Sequence, residues 1–230
     1  MAGPAGRLTL LDLALLYGNL LVRGLLNTLV ITALSFSLGL AMSLTLTFAR
    51  FFVGGHANAL VKAYVDFFRG TPLLVQILFV YFGLPSLGVR LDAITSAVLA
   101  IGLNSGAYQA ELLRTAIKGI PEEQLLVARS LGLTRLQTFS HVIAPQAILN
   151  AMPGLVNELV TLLKESSLAS VIGVMELTRV GEYMTAATFK ALEALGLVAL
   201  IYLAVSYVTF KALGTAERRL AIPGFERWAR

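Results

Sequence analysis

The stretch from Leu25 to Ala49, LLNTLVITALSFSLGLAMSLTLTFA, carries no charge at all. It exceeds the roughly 20 apolar residues that a helix needs to cross a bilayer. Further apolar runs follow. Gly70 to Val89 is uncharged, and its helix starts earlier, near Asn58, because Asp66 and Arg69 stand at i,i+3 and partly neutralise each other. Ala93 to Ala110, Val142 to Leu163 (interrupted by Glu158) and Ala194 to Phe210 complete the set. Residues 8–22 are apolar but short and lie beside a long span, so segment 1–23 reads as interfacial rather than as a sixth crossing. The expectation is an all-α membrane protein with about five transmembrane helices in a single domain, residues 1–230.

Composition agrees with that class. Charged residues make up 13% of the chain, against about 25% in an ordinary soluble domain, and the mean hydropathy is +0.79. The absence of cysteine excludes disulfides and thiolate metal sites. The net charge of +5 does not point to nucleic acid, because the cations flank apolar spans, where they set orientation. The first residues lack a compact basic–apolar–small cleavage pattern, so no removable signal peptide is expected.

Five crossings put the termini on opposite sides. One set of connections holds Arg50, Lys62, Arg114, Lys118, Arg129, Arg135, Lys211, Arg218, Arg219, Arg227 and Arg230; the other holds Arg7, Arg90, Arg179 and Lys190, diluted by acids. The positive-inside rule places the richer set and the C-terminus in the cytoplasm, and the N-terminus outside. On the outer side, SSLASVIGV (166–174) can fold back against the membrane.

The cytoplasmic loop 118–145 then becomes the informative segment. Pro121 suits a first helical turn, and Glu122 and Glu123 complement the dipole there. Gly132 is a C-terminal stop, Thr134 and Gln137 form a capping box for a second helix, and Pro145 ends or kinks it. Leu125, Ala128, Leu136 and Phe139 supply apolar positions, with Arg129 and Arg135 as cations. Two readings stand on this pattern alone: a docking surface, or an amphipathic connector lying on anionic lipid.

The segment ARSLGLTRLQTFSHVIAP (128–145) resembles the cytoplasmic EAA loop of ABC importer permeases, matching its glycine at Gly132 and its Ile-x-Pro ending at Ile143 and Pro145. RGTPLLVQ (69–76) with YFGLP (81–85), GAYQAELLR (106–114) and KESSLASVI (164–172) look like the polar amino-acid permease subfamily, the histidine, glutamine and arginine importers. The likeness runs in order from about Leu20 to Leu220. One departure stands out: the Glu-Ala-Ala of the loop falls on Leu126, Val127 and Ala128, so the acid is missing, with Glu123 three residues earlier on roughly the same face.

The resemblance implies a type I ABC importer permease fold and a role as the non-catalytic membrane subunit of an amino-acid importer in a bacterial inner membrane. Its implied partners are a cytoplasmic ATP-binding subunit dimer holding ATP and magnesium, a second permease subunit (identical or not), an extracytoplasmic amino-acid-binding protein and the amino-acid substrate. Leu125, Ala128, Arg129, Gly132, Arg135 and Phe139 would couple to the ATPase through the 121–145 helices, and Lys164 to Ser167 would close the outer gate. The chain itself holds no cofactor. It contains no Gly-x-x-x-x-Gly-Lys-Ser/Thr phosphate loop.

A solute path needs polar faces on the spans. Asn150, Gly154, Asn157, Glu158, Thr161 and Glu165 share one side of the fourth run; Asn104, Tyr108, Glu111 and Thr115 share one side of the third. A carboxylate at the bilayer centre costs roughly 2.5–3.5 kcal/mol on insertion scales, so it faces a cavity or a partner. Glu158 is therefore the leading candidate for a substrate ammonium or basic side chain; the competing reading pairs it with Lys164 or sets it at the outer interface. Asn104 either orients substrate or joins helices. Arg69 either snorkels beside Asp66 or reaches the path. Tyr108, Asn157 and Gln76 complete the candidate set. A small-residue group, Ser35, Ser37 and Gly39, reads as helix packing.

Two other classes fit poorly. The two histidines, His56 and His141, form no His-Glu-x-x-His pattern, and no Gly-x-Ser-x-Gly elbow is present, against a membrane enzyme. No paired halves with broken helices suggest a secondary transporter. A structural subunit whose partner chain carries the solute path remains compatible with the motifs.

Overall fold

The computed structural model describes residues 9–53 and 55–220. Residues 1–8, Arg7 among them, lie outside that part, as do Arg227, Arg230 and the side chains of His56, Arg218 and Arg219. Every regular element among the described residues is helical. The order is α1 (Leu10–Leu16), α2 (Gly18–Val53), α3 (Gly55–Gly70), α4 (Leu73–Leu78), α5 (Ala93–Lys118), α6 (Glu122–Ser130), α7 (Arg135–Thr138), α8 (Ala144–Glu165), α9 (Leu177–Thr188) and α10 (Ala191–Leu220). Two of them, Gly18–Phe52 and Ala191–Thr215, are long and apolar enough to cross a membrane by themselves. At about 1.5 Å per residue, α5 and α8 also have the length to do so.

The first long helix begins at Gly18, seven residues before the uncharged run at Leu25. Ahead of it α1 is a separate single helix of two turns. A reciprocal capping box between Thr9 and Asp12 starts it, and Leu13 anchors it against α9 and α10.

The packing of α2 is inside out relative to a soluble helix. Its buried stripe is mostly small and polar, with Thr28, Thr32, Ser35, Ser43 and Thr47 beside Leu21 and Ile31, whereas Leu26, Val30, Leu34, Leu44 and Phe48 are exposed. Lipid is as apolar as leucine, so burying leucine gains little there, and small residues that let backbones approach make the contact. At the crossing of α2 and α5, a Cβ on Gly39 would stand 3.1 Å from the Gly106 nitrogen and 2.8 Å from Gln109 Nε2. Ser35 and Gly39 thus pack as expected. Ser37 does not; it is exposed and bonds back to the Ala33 carbonyl.

The second apolar run is not one continuous span, as the run from Gly70 to Val89 suggested. Residues Ala57–Gly70 and Leu73–Leu87 meet at 103° across Thr71 and Pro72. A proline cannot donate into the preceding turn, and the carbonyls freed at the break need donors. Gln76 Nε2 supplies the Phe68 oxygen (2.9 Å) and the Thr71 oxygen (3.1 Å), and Asn104 Nδ2 reaches the Phe68 oxygen from α5 at 2.8 Å.

Pro145 behaves differently from expectation as well. It neither ends nor breaks the second loop helix: α7 continues through a π-helical turn (Phe139–Ile143) directly into α8. A wider turn just ahead of the proline accommodates its ring and its missing N–H. The same device precedes Pro85, where a π-helical turn over Phe79–Gly83 passes into a 3₁₀ turn.

Side-chain clusters give the long helices an up-and-down order. At one end Ile31, Ile77, Ile101 and Leu162 pack with Ala169, Ile172 and Val174. The 166–174 segment therefore does fold back, as a 3₁₀ helix against the bundle's own core. At the other end Leu113, Ile120, Ile143 and Ala147 pack with Phe51 and Phe139. The connection 119–143 thus lies at the same end as Arg50.

Candidate functional site

Two constellations carry chemistry: the α6–α7 hairpin at one end and a polar file in the middle of the bundle.

The hairpin forms for local reasons. Pro121 stands at the N-cap of α6, with Glu122 and Glu123 in the first turn. Gly132 takes a left-handed φ of 75°, the conformation that glycine adopts without a steric penalty. The amides that follow the helix close it: Gly132 N–H donates to the Arg129 carbonyl (2.9 Å) and Leu133 N–H to the Ala128 carbonyl (3.1 Å). Thr134 and Gln137 make the anticipated reciprocal capping box.

The six expected coupling residues divide. Ala128 is buried, and Leu125 and Phe139 pack into the cluster around Ile143. Phe139 contacts three rings of α2, with centroids 5.2 Å from Phe51, 5.7 Å from Phe48 and 5.8 Å from Phe52. These three side chains fasten the hairpin to the bundle. Arg129, Gly132 and Arg135 face outward. Beside them lie four exposed apolar residues: Leu126 (57% exposed), Val127, Leu131 and Leu136. Leu126 and Val127 drew notice in the sequence only as the place of the missing Glu-Ala-Ala, and Leu131 drew none. Apolar residues lie all round α6, so its pattern alone does not tell the core face from the free one.

In the mid-bundle file, Ser105 Oγ of α5 donates to Glu158 Oε1 of α8 at 2.7 Å. The other carboxylate oxygen makes no hydrogen bond among the described residues. Glu158 is thus tied to α5 rather than to Lys164. Behind Ser105, the buried Gln109 donates to Ser105 Oγ (2.9 Å) and to the Phe36 carbonyl (3.3 Å). Its own Oε1 is buried and unpartnered among the described residues. Ser105 and Gln109 escaped sequence reasoning because the link spans 53 positions.

The remaining candidates scatter. Asn104 and Gln76 are joined to each other (3.1 Å) and to the α3–α4 break. Their donors are occupied by that joint. Asn157 is exposed, one position from Glu158. Arg69 is not paired with Asp66, which instead binds Lys62; its guanidinium carbon lies 5.1 Å from the centre of the Tyr108 ring. Arg69 also borders a cavity of about 590 Å³ between α2, α3 and α5, which does not include Glu158. No group of three or more His, Cys, Asp or Glu among the described residues could hold a metal ion.

An all-helical bundle, with two helices long and apolar enough to cross a membrane and a bent pair that could make a third span, defines a membrane-embedded protein. The chain belongs to the family of binding-protein-dependent transport system inner membrane components, whose model matches residues 35–220. It is 40% identical over 205 residues to the glutamine transport system permease protein GlnP of Escherichia coli K12, covering 88% of this chain and 94% of that one. It is 38% identical over 203 residues to the arginine transport system permease protein ArtQ of Bacillus subtilis 168, covering 87% and 92%. Among solved structures, an amino acid ABC transporter crystallised with histidines matches with a TM-score of 0.84 at 36% identity, covering 93% of this chain and 99% of that one. The MetNI methionine transporter, in its inward-facing form, shares the fold at a TM-score of 0.78 and 20% identity. The fold is that of a type I ABC permease, and the chain is a multi-pass permease subunit, with ATP hydrolysis belonging to a separate ATPase.

Proposed function

We propose that this permease subunit moves a polar or charged amino acid inward by alternating access, driven by a cytoplasmic ATPase dimer that seats the α6–α7 hairpin. ATP and magnesium are held by that dimer. A second permease subunit completes the path, and an extracytoplasmic amino-acid-binding protein delivers the solute. In this reading α2, the bent α3–α4 pair, α5, α8 and α10 make five crossings of a bacterial inner membrane, the N-terminus is outside, and the hairpin and C-terminus are cytoplasmic. The amino-acid class is supported by the relatives with names and by the free oxygen of Glu158.

The carrying observation for the substrate site is Glu158 itself. Ser105 fixes one oxygen and leaves the other to meet a substrate cation. Asn157 lies beside it, and Arg69 stacked on Tyr108 supplies a positive group for a carboxylate. Asn104 and Gln76 shape the site by holding the bend in the second span.

For the coupling end, Leu126, Val127, Leu131 and Leu136 form the contact surface together with Arg129 and Arg135. An apolar cluster exposed on a charged loop is the usual mark of a protein contact. Leu126 stands where the resembling loops carry glutamate, so this contact relies on apolar burial there in place of a charge.

Uptake into proteoliposomes tests the site. A hydrogen bond to a charged group is worth about 1.5–3 kcal/mol, so Glu158→Gln should reduce transport of a basic or zwitterionic substrate by roughly ten- to a hundredfold while the ATPase still co-purifies. Unchanged uptake of basic, neutral and acidic amino acids would make the carboxylate structural.

A further inference from the structure

The cavity of about 590 Å³ at the hairpin end has a composition that the transport reading uses only at Arg69. Its charged lining is five cations, Arg50, Lys62, Arg69, Arg114 and Lys118, and two carboxylates, Asp66 and Glu111. Five minus two leaves an excess of three positive charges. Both carboxylates are already engaged: Asp66 accepts from Lys62, and the two oxygens of Glu111 accept from Nε and Nη2 of Arg114. Arg69 is turned to Tyr108.

Arg50 is the group left over. It is half-buried, and its Nε and Nη1 are wholly buried with no hydrogen-bond partner among the described residues. Holding that charge away from water without an acceptor is costly, so an anion in the adjoining cavity offsets it through its charge. Thr47 and Asn58 add neutral polar groups, and Phe51, Val65 and Ile117 add apolar wall. Those features together suit a ligand with an anionic head and an apolar continuation. The cavity also lies where α2, α3 and α5 end at the basic side of the bundle, the level of the inner-leaflet head groups in the proposed orientation.

We infer that this cavity binds the phosphate of an anionic phospholipid, with Arg50 as the half-buried positive charge in its wall and Lys118 at its mouth. The phosphodiester oxygens are held by that charge and by Lys118, and the glycerol and first methylenes lie on Phe51 and Ile117. Basic pockets between membrane helices on the cytoplasmic side hold lipid head groups for this reason. Phe51 also contacts Phe139, so the bound lipid would brace the α2 end to which the hairpin is fastened. The inference is independent of the role of Glu158.

The experiment uses the full chain assembled with its ATPase in neutral detergent, with bound lipid counted by native mass spectrometry. The probes are phosphatidylglycerol, phosphatidylcholine, inorganic phosphate and a mixture of amino acids. The wild type should retain phosphatidylglycerol in preference to phosphatidylcholine, and neither millimolar phosphate nor the amino acids should displace it. At roughly fivefold per surface cation, Lys118→Gln should weaken retention about fivefold, and Arg50→Gln, whose charge is more desolvated, at least about tenfold. Lys118 is exposed, so that variant decides the matter even if Arg50→Gln does not assemble. Equal retention of both lipids, or wild-type retention by both variants, would overturn the inference. So would displacement by inorganic phosphate, which would mark a free-anion site, or displacement by amino acids, which would give the cavity to the transport path.

Discussion

The hairpin and the mid-bundle file solve opposite problems. The file is mostly closed: Ser105 bonds both Glu158 and Gln109 between α2, α5 and α8, and one oxygen each of Glu158 and Gln109 is left without a partner among the described residues. The hairpin is open: its backbone is fully capped at Gly132 and Thr134, yet it turns Leu126, Val127, Leu131 and Leu136 to the outside. A rigid backbone with unfilled apolar side chains suits the transmission of a push. A mostly satisfied polar group inside a membrane suits brief recognition of a solute that must be released again. The two regions are linked by a continuous helix, since α7 runs through the π-helical turn into α8, the helix that bears Glu158. A displacement of the hairpin therefore has a direct mechanical route to the carboxylate.

The largest effect that sharpens this contrast should come from the open region. Leu131→Asp with Leu136→Asp alters two exposed side chains, so the thermal stability of the bundle should stay within about 0.5 kcal/mol per site of wild type. Interface anchors are typically worth 2 kcal/mol or more, so recovery of the ATPase in a pull-down should fall at least about tenfold. Full recovery would move the contact elsewhere on the chain.

The polar joint at the α3–α4 break, closed like the file, predicts the reverse pattern and a smaller effect. Asn104→Ala removes a donor from the Phe68 carbonyl at the α3–α4 break. Leaving a buried acceptor under-satisfied costs about 1–3 kcal/mol, so the melting temperature should drop while the KM for uptake is unchanged. A raised KM at unaltered stability would put Asn104 on the substrate instead.

Legibility followed the range of the interactions. The hairpin was readable because its determinants are local: Pro121 at the start, Gly132 at φ 75°, and a capping box within four residues. Both long apolar helices, Gly18–Val53 and Ala191–Leu220, were readable from apolarity alone. What escaped depends on residues distant in sequence. Gln76 and Asn104 shape the bend at Pro72, although Asn104 lies 36 positions from the carbonyl it holds. Of the two readings of Arg69, the one that pairs it with Asp66 on helical spacing fails, because Lys62 satisfies that acid at the better i,i+4 position and Arg69 meets the Tyr108 ring. Of the two readings of Pro145, a helix end or a kink, the end fails because a wider turn absorbs the proline. Leu125, Ala128 and Phe139 turn toward the bundle, and an apolar pattern alone does not separate that face of the hairpin from the presented one.

The central claim is that ATP-driven force enters through the hairpin hinged at Gly132. Proline cannot reach a φ of 75° and has no N–H to donate to Arg129, so Gly132→Pro removes the hinge while leaving the helices of the bundle untouched. The decisive measurement is ATP-coupled amino-acid uptake by this variant, reconstituted with its ATPase in proteoliposomes. Uptake at background, with weakened ATPase assembly, is the predicted result; uptake at the wild-type rate would contradict the account.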